Sequence, residues 1–189
     1  MFQGETYHWS KHREFLKFIT LPLHTIQPIE LAMCFVDSCA NIPGFNDIIP
    51  AVGMTADERR ALFENGWLLR DAHAFTTDPH LYRDYICASS GEFTVAKDQN
   101  VRLRSGWFSE RSACYLAAGR PVVTQDTGFG TMLPTGDGLF AFDTIEGILA
   151  AFESINSNYE HHSKAARDIA EEYFRAETVL ARLLSALDL

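Results

Sequence analysis

The sequence predicts an α/β fold: a Rossmann-like, doubly wound parallel sheet with helices on both faces and C-terminal helices packing over it. Three observations predict it. Short apolar runs rich in β-branched residues, at 29–36 (IELAMCFV), 93–96 (FTVA) and 121–124 (PVVT), are bounded by Pro and Gly, as strands covered on both faces are. Helix-periodic segments separate them, so that strand and helix alternate at least five times before residue 125. The stretch 92–136 reads as one βαβ unit: strand 93–96, a basic glycine-containing loop 97–108, helix 109–118, strand 120–124, then a loop rich in Gly, Thr and Asp.

Taken in order, residues 1–7 read as the tail of a strand and a loop, and Ser10 as the cap of a helix running to about residue 19 with Phe15, Phe18 and Ile19 on one face. Pro28 precedes the strand at 29–36, and 37–54, with two Pro and two Gly and no clean period, reads as a long ordered loop. Thr55 and Glu58 form a capping box for a helix ending near Asn65 and stopped by Gly66. A strand at 67–70 and a loop at 71–77 follow. Asp78-Pro79 then marks a helix start, Asp as cap and Pro as first helical residue, with Leu81, Tyr82, Tyr85 and Ile86 on its apolar face. Past the βαβ unit, a turn at 136–138 leads to a strand at 139–142. Apolar residues at steps of three and four from Ile145 to Tyr173, and again at Leu180, Leu183, Leu184 and Leu187, predict long terminal helices with core faces. His162 falls on such a face, where a packed histidine is the expectation rather than a metal ligand.

The 189 residues suffice for one α/β domain, and the expectation is a single domain over 1–189. A formal net charge of -9 argues against a nucleic-acid partner or an anionic membrane surface. Cys34, Cys39, Cys87 and Cys114 show no C-x-x-C spacing and stand in apolar or helical contexts, which predicts buried thiols. No stretch approaches the roughly 18 apolar residues of a membrane span, and no signal-peptide pattern precedes Gly4. The expectation is a cytoplasmic protein without membrane insertion.

Loops at the carboxyl ends of parallel strands hold ligands in open α/β sheets, because helix N-termini there present unpaired N–H groups. The first such loop carries Lys97, Arg102 and Arg104, then Ser105-Gly106 and Ser109 as a helix cap. Cations, a flexible backbone and a helix start together favour an anion such as a diphosphate; solvated surface cations are the bland alternative. The second loop, Gln125-Asp126-Thr127-Gly128, offers backbone amides and side-chain acceptors, though any tight strand exit also needs its glycines.

The run RSACYLAAGRPVVTQDTGFG, with the preceding FTVAKDQNVRLRSGWFS, resembles the donor-binding half of GT-B-type glycosyltransferases of a bacterial branch. Those enzymes carry a helix ending in an Ala-Ala-Gly-like triplet, then Pro-Val-Val, then a polar glycine loop. The resemblance is specific over 92–136 and loose elsewhere. It implies a chain that is the C-terminal, donor nucleotide-sugar-binding domain of a two-domain glycosyltransferase, with the acceptor-binding half and part of a first strand lying outside these 189 residues. It further implies that Lys97, Arg102, Arg104, Ser109 and Arg111 hold the donor diphosphate, and that Gln125, Asp126, Thr127 and Gly128 face the sugar and phosphate. Lys11 or His8 would be a diphosphate neighbour. Trp107 or Phe108 would stack on the nucleobase, with packing under the loop as the alternative.

Cys114 stands where many retaining members hold the donor ribose with Glu, so the resemblance implies a nucleoside contact there but neither a carboxylate on the ribose nor a retaining outcome. Arg111, one turn earlier, matches an Arg of a related branch. No Asp-x-Asp motif occurs, in keeping with metal-independent GT-B transfer, and no cofactor is expected beyond the nucleoside-diphosphate sugar itself as substrate. A catalytic base would come from the acceptor domain, so no catalytic residue is assigned. A nucleotide-sugar epimerase-like enzyme and a non-catalytic nucleotide-sugar-binding module are the alternatives.

Overall fold

A computed structural model describes residues 4–34 and 55–187. The expected loop at 37–54, the start of the chain before Gly4 and the last two positions of the 29–36 strand lie outside the described residues. Contacts divide the chain into two units, one holding everything through Lys11 together with everything from Ile86 onward, the other being His12–Tyr85.

The His12–Tyr85 unit holds helix α1 (His12–Leu16), a 3-10 turn (Leu21–His24), strand β1 (Glu30–Met33), helix α2 (Ala56–Glu64), strand β2 (Leu68–Asp71) and short helix α3 (His73–Thr76). Strands β1 and β2 pair in parallel, Glu30 opposite Leu68 and Met33 opposite Asp71. The capping box is present: Thr55 accepts from the Glu58 amide and the Glu58 carboxylate accepts from the Thr55 amide at 2.8 Å. Trp67 is buried, and its indole N–H donates to the Ile19 carbonyl at 2.7 Å, which satisfies the ring's polar atom inside an otherwise apolar core with Phe18, Leu21, Ile29, Leu31 and Leu62. The helix expected over 10–19 is confined to α1, and the loop expected at 71–77 contains α3.

Helix α4 (Pro79–Ala88) starts as predicted, with Asp78 accepting from the His80 amide at 2.7 Å. In the unit that follows are strand β3 (Glu92–Thr94), helices α5 (Asp98–Arg102) and α6 (Glu110–Ala117), strand β4 (Val122–Gln125), a 3-10 turn (Phe129–Thr131), strand β5 (Leu139–Phe142), and helices α7 (Ile145–Ser157), α8 (Tyr159–Tyr173) and α9 (Ala176–Ala186). The parallel sheet β3-β4-β5 pairs Phe93 with Val123 and Val123 with Phe140. Its core is Val95, Leu116, Val122, Val123, Phe129, Leu139, Phe142 and Ile148, all buried. Helices α7 and α8 pack on β5, and α8 also packs on α6.

His162 is the packed histidine the sequence predicts. Its Nδ1 accepts from the Gly138 amide at 3.2 Å and its Nε2 lies 3.1 Å from the Ser154 hydroxyl. Gly138 itself has φ +71, and a Cβ there would stand 2.3 Å from the Ala166 amide nitrogen, so the turn before β5 tolerates glycine alone.

The described residues form an α/β fold, as expected, with two small parallel sheets, β1-β2 and β3-β4-β5. Two other expectations are corrected. Leu180, Leu183, Leu184 and Leu187 are 48–58% exposed, so α9 carries an apolar stripe that is not a core face. The cysteines are not four buried thiols: Cys34 is disulfide-bonded, and Cys87 and Cys114 are exposed. Periodicity tells which side of a helix is apolar; it does not tell whether anything covers it. No helix among the described residues is long and apolar enough to cross a membrane.

Candidate functional site

The predicted site residues all belong to the β3-β4-β5 unit, at the carboxyl ends of β3 and β4. These strand ends are joined from below: Gln125 is buried, and its side-chain oxygen accepts from the Ala96 amide at 3.1 Å, carrying the ladder one step past Thr94. Above it the two loops form one stitched layer. The Gly106 amide donates to the Thr127 carbonyl at 2.8 Å, and the Thr127 hydroxyl donates to the Trp107 carbonyl at 2.6 Å. Asp126 accepts from the Gly128 amide at 2.7 Å with one oxygen and from Arg104 at 2.9 Å with the other.

This layer needs unusual backbone. Gly128 has φ +89, with Arg104's carbonyl oxygen 3.3 Å from where a Cβ would sit. Arg104, at φ 46, is the non-glycine residue in the left-handed region among the described residues. A strained turn held by a neighbouring loop is a common mark of ligand-binding sites.

The structure brings Arg104, Trp107, Asp126, Thr127 and Gly128 together, with Gln125 beneath them. It separates the other predicted cations by partner. Arg102 is held by the chain's first segment, pairing with Glu5, donating to the Thr6 carbonyl at 3.0 Å and lying 4.3 Å over the Tyr7 ring. Asp98, 3.6 Å away, adds a second carboxylate to it. Lys97 stands 3.7 Å over the exposed Trp9 ring. Arg111 pairs with Glu92 at 2.6 Å and donates to the Thr94 hydroxyl at 2.8 Å. Ser109 occupies the cap of α6, but its side chain makes no capping bond, which leaves the first-turn amides without that acceptor.

Of the residues expected at the nucleoside, Trp107 is 47% exposed and Cys114 is exposed. Phe108 is committed elsewhere. Its ring stacks on Phe174 at 5.6 Å and leans on Phe129 at 5.4 Å, the packing alternative rather than an open stacking face.

Around Arg111 lies a cluster only partly anticipated. Glu92 and Thr94, two residues apart on β3, share one face of the strand, and both are buried. Glu92 spends Oε1 on Arg111, while its Oε2 is buried without a hydrogen-bond partner. Lys11 reaches the same Thr94 hydroxyl at 3.5 Å. Burial, and then the Arg111 charge, push the Lys11 amine down to about 8; Glu92 and Glu110 oppose the shift and Lys97 adds to it. Lys11, Lys97, Arg111 and Glu92 therefore share one electrostatic neighbourhood. The signal that would have found Glu92 is a carboxylate at the strand's inward period, Glu92-Phe93-Thr94, just where an apolar residue is the norm.

A second constellation, Asp137 with His161 and His162, has ligand atoms within 4.8 Å of one another. His161 pairs with Asp137 at 2.9 Å. The Gly138 amide already takes the His162 Nδ1 lone pair, which reduces the set to two exposed groups on the surface.

Comparison with known proteins identifies no family: no family model matches the chain, and neither the curated proteins nor the solved structures yield a match.

Proposed function

We propose that this chain is the donor-binding domain of a metal-independent GT-B-type glycosyltransferase, binding a nucleoside-diphosphate sugar for transfer to an acceptor held by a second domain. The observation that carries the reading is the stitched pair of loops at the carboxyl ends of adjacent parallel strands, with Lys11, Lys97 and Arg111 in one neighbourhood beside it. Transfer leaves a diphosphate whose negative charge grows in the transition state, and fixed cations with loop amides are what such a leaving group needs. The run from Arg111 to Gly130 supports the same reading through its likeness to that enzyme class. In this proposal the two small parallel sheets belong to a doubly wound, Rossmann-like domain, and the protein works in the cytoplasm. The disulfide at Cys34 counts against that compartment, since reducing conditions keep thiols free.

One observation favours a second reading, a non-catalytic nucleotide-sugar-binding module. Arg102, Arg104 and Arg111 each already pair with a carboxylate, so a phosphate would have to exchange with Glu5, Asp126 or Glu92. A thermal-shift panel of UDP-, GDP-, ADP- and TDP-sugars tests the proposal. One member should raise the melting temperature, by an amount equivalent to about 2.7 kcal/mol at a hundredfold excess over Kd. Arg111→Ala should abolish that shift while leaving the protein folded. No shift with any member would overturn both readings.

A further inference from the structure

Residues 5–9 precede the first helix, belong to no helix or strand, and none of them is buried. Each instead meets a charged side chain of α5 or its cap. Glu5 pairs with Arg102 Nη2, and the Thr6 carbonyl accepts from Arg102 Nη1 at 3.0 Å. The Tyr7 ring centre lies 4.3 Å from the same guanidinium, the His8 amide donates to Asp98 Oδ2 at 2.8 Å, and the Trp9 ring centre lies 3.7 Å from the Lys97 ammonium. Two oxygens on the two terminal nitrogens of one guanidinium is the arrangement a phosphate takes on arginine, so Glu5 and Thr6 together hold the place of an oxyanion. Asp98 Oδ2 also stands 3.6 Å from Arg102 Nη1, and one acceptor thereby serves both the segment and the cation beneath it. The Arg102 and Glu5 side chains are 37% and 57% exposed, and ion pairs so exposed are weak. A segment held by such contacts, with no buried apolar side chain, opens at low cost.

We propose that residues 5–9 are a displaceable strap, an internal competitor that occupies Arg102 and covers Lys97 until a diphosphate group takes the positions of the Glu5 carboxylate and the Thr6 carbonyl. The inference rests on the donor reading above, in which Lys97 and Arg102 hold a diphosphate. A diphosphate carries more negative charge than one carboxylate and one carbonyl, and it offers both oxygens from a single rigid group, so it takes the Arg102 fork by exchange. As Arg102 turns to it, Thr6 loses its donor and Tyr7 its cation, and the His8 bond to Asp98 is left as the tie on that side of α5. Opening the strap also uncovers the Lys97 ammonium, since Trp9 lies on the same short segment. The strap sets the affinity of the site, and binding of the anion frees the segment that had stood in for it.

The test titrates inorganic pyrophosphate into the whole chain by calorimetry at constant ionic strength. Glu5→Gln and Trp9→Ala, both at exposed positions, should each lower the Kd by roughly threefold to fivefold, the change that an exposed contact of this strength is worth. Trp9→Ala leaves the net charge as it was. Glu177→Gln removes the same charge as Glu5→Gln outside the strap and should leave the Kd unaltered. With Arg102→Ala already in place, Glu5→Gln should no longer change the Kd. In the parent, pyrophosphate should speed hydrogen exchange of the His8 amide severalfold, while chloride at the same ionic strength should not. A Kd equal in the parent and the strap variants, or pyrophosphate bound with no faster exchange at His8, would overturn the strap and leave the donor reading standing. Tighter pyrophosphate binding by the strap variants, with no response to any nucleotide sugar, would uphold the strap and end the donor reading. Binding by none of these proteins would overturn both.

Discussion

Replacing Lys11 by methionine removes an ammonium that the fold holds half-buried beside Arg111 while keeping most of the volume of its stem. The folded chain holds the Lys11 proton only up to about pH 8, against an ordinary value of 10.5 in the unfolded chain. The sign follows from proton counts. Between those two values the unfolded chain binds a proton that the folded chain has lost, so stability rises with pH across the window, and below pH 8 the burden of a buried charge is present in full. A gap of this size corresponds to about 3 kcal/mol at neutral pH, falling to less than about 1 kcal/mol near pH 10. Lys11→Met should therefore be more stable than the parent at pH 7, and the difference should close by about 2 kcal/mol between pH 7 and pH 10. Urea unfolding at the two pH values, read on each protein against its own m-value, measures this double difference, in which the pH-independent packing change cancels. A difference that stays constant with pH, or grows, would refute the reasoning, because it would mean that Lys11 is solvated or paired in the folded chain.

Three further predictions bear on the same unit. Glu92→Gln breaks the ion pair with Arg111 inside the strand's buried face and should destabilise by about 2 kcal/mol in urea unfolding. Because Glu92 favours the Lys11 ammonium, the same change should move the midpoint of a Lys11 labelling profile to lower pH. Gly138→Ala places a Cβ against the α8 backbone at a positive φ, and a loss on the order of 3 kcal/mol or more should appear as a lowered melting temperature with the circular dichroism of a folded protein retained.

The course of the chain was largely legible before the structure. The capping box at Thr55 and Glu58, the Asp78 cap on Pro79 and the strand-helix-strand order from Glu92 to Gln125 are set by hydrogen bonds within a few residues and by periods of two and 3.6. The loop after β3 hid helix α5, whose five residues are too few to show a period. The candidate site was legible in part. The loops that meet were identified, and Asp126, Thr127 and Gly128 do face Arg104 and Trp107. The four cations read as one group were not one group, because each is matched with a partner distant in sequence: Arg102 with Glu5, Arg104 with Asp126, Arg111 with Glu92, Lys97 with Trp9.

By itself, then, the sequence determined the α/β character, the parallel strands, the places where helices start and the loops at the strand ends, since each rests on local patterning that tertiary contacts seldom overrule. The tertiary structure alone decided which charges meet. It placed Lys11 against Thr94 and Arg111 across more than eighty residues, turned Phe108 into packing for Phe174, and left the leucines of α9 exposed. Charge and apolar periodicity declare what a side chain can do; the partner it does it with is chosen by the folding of remote segments onto one another.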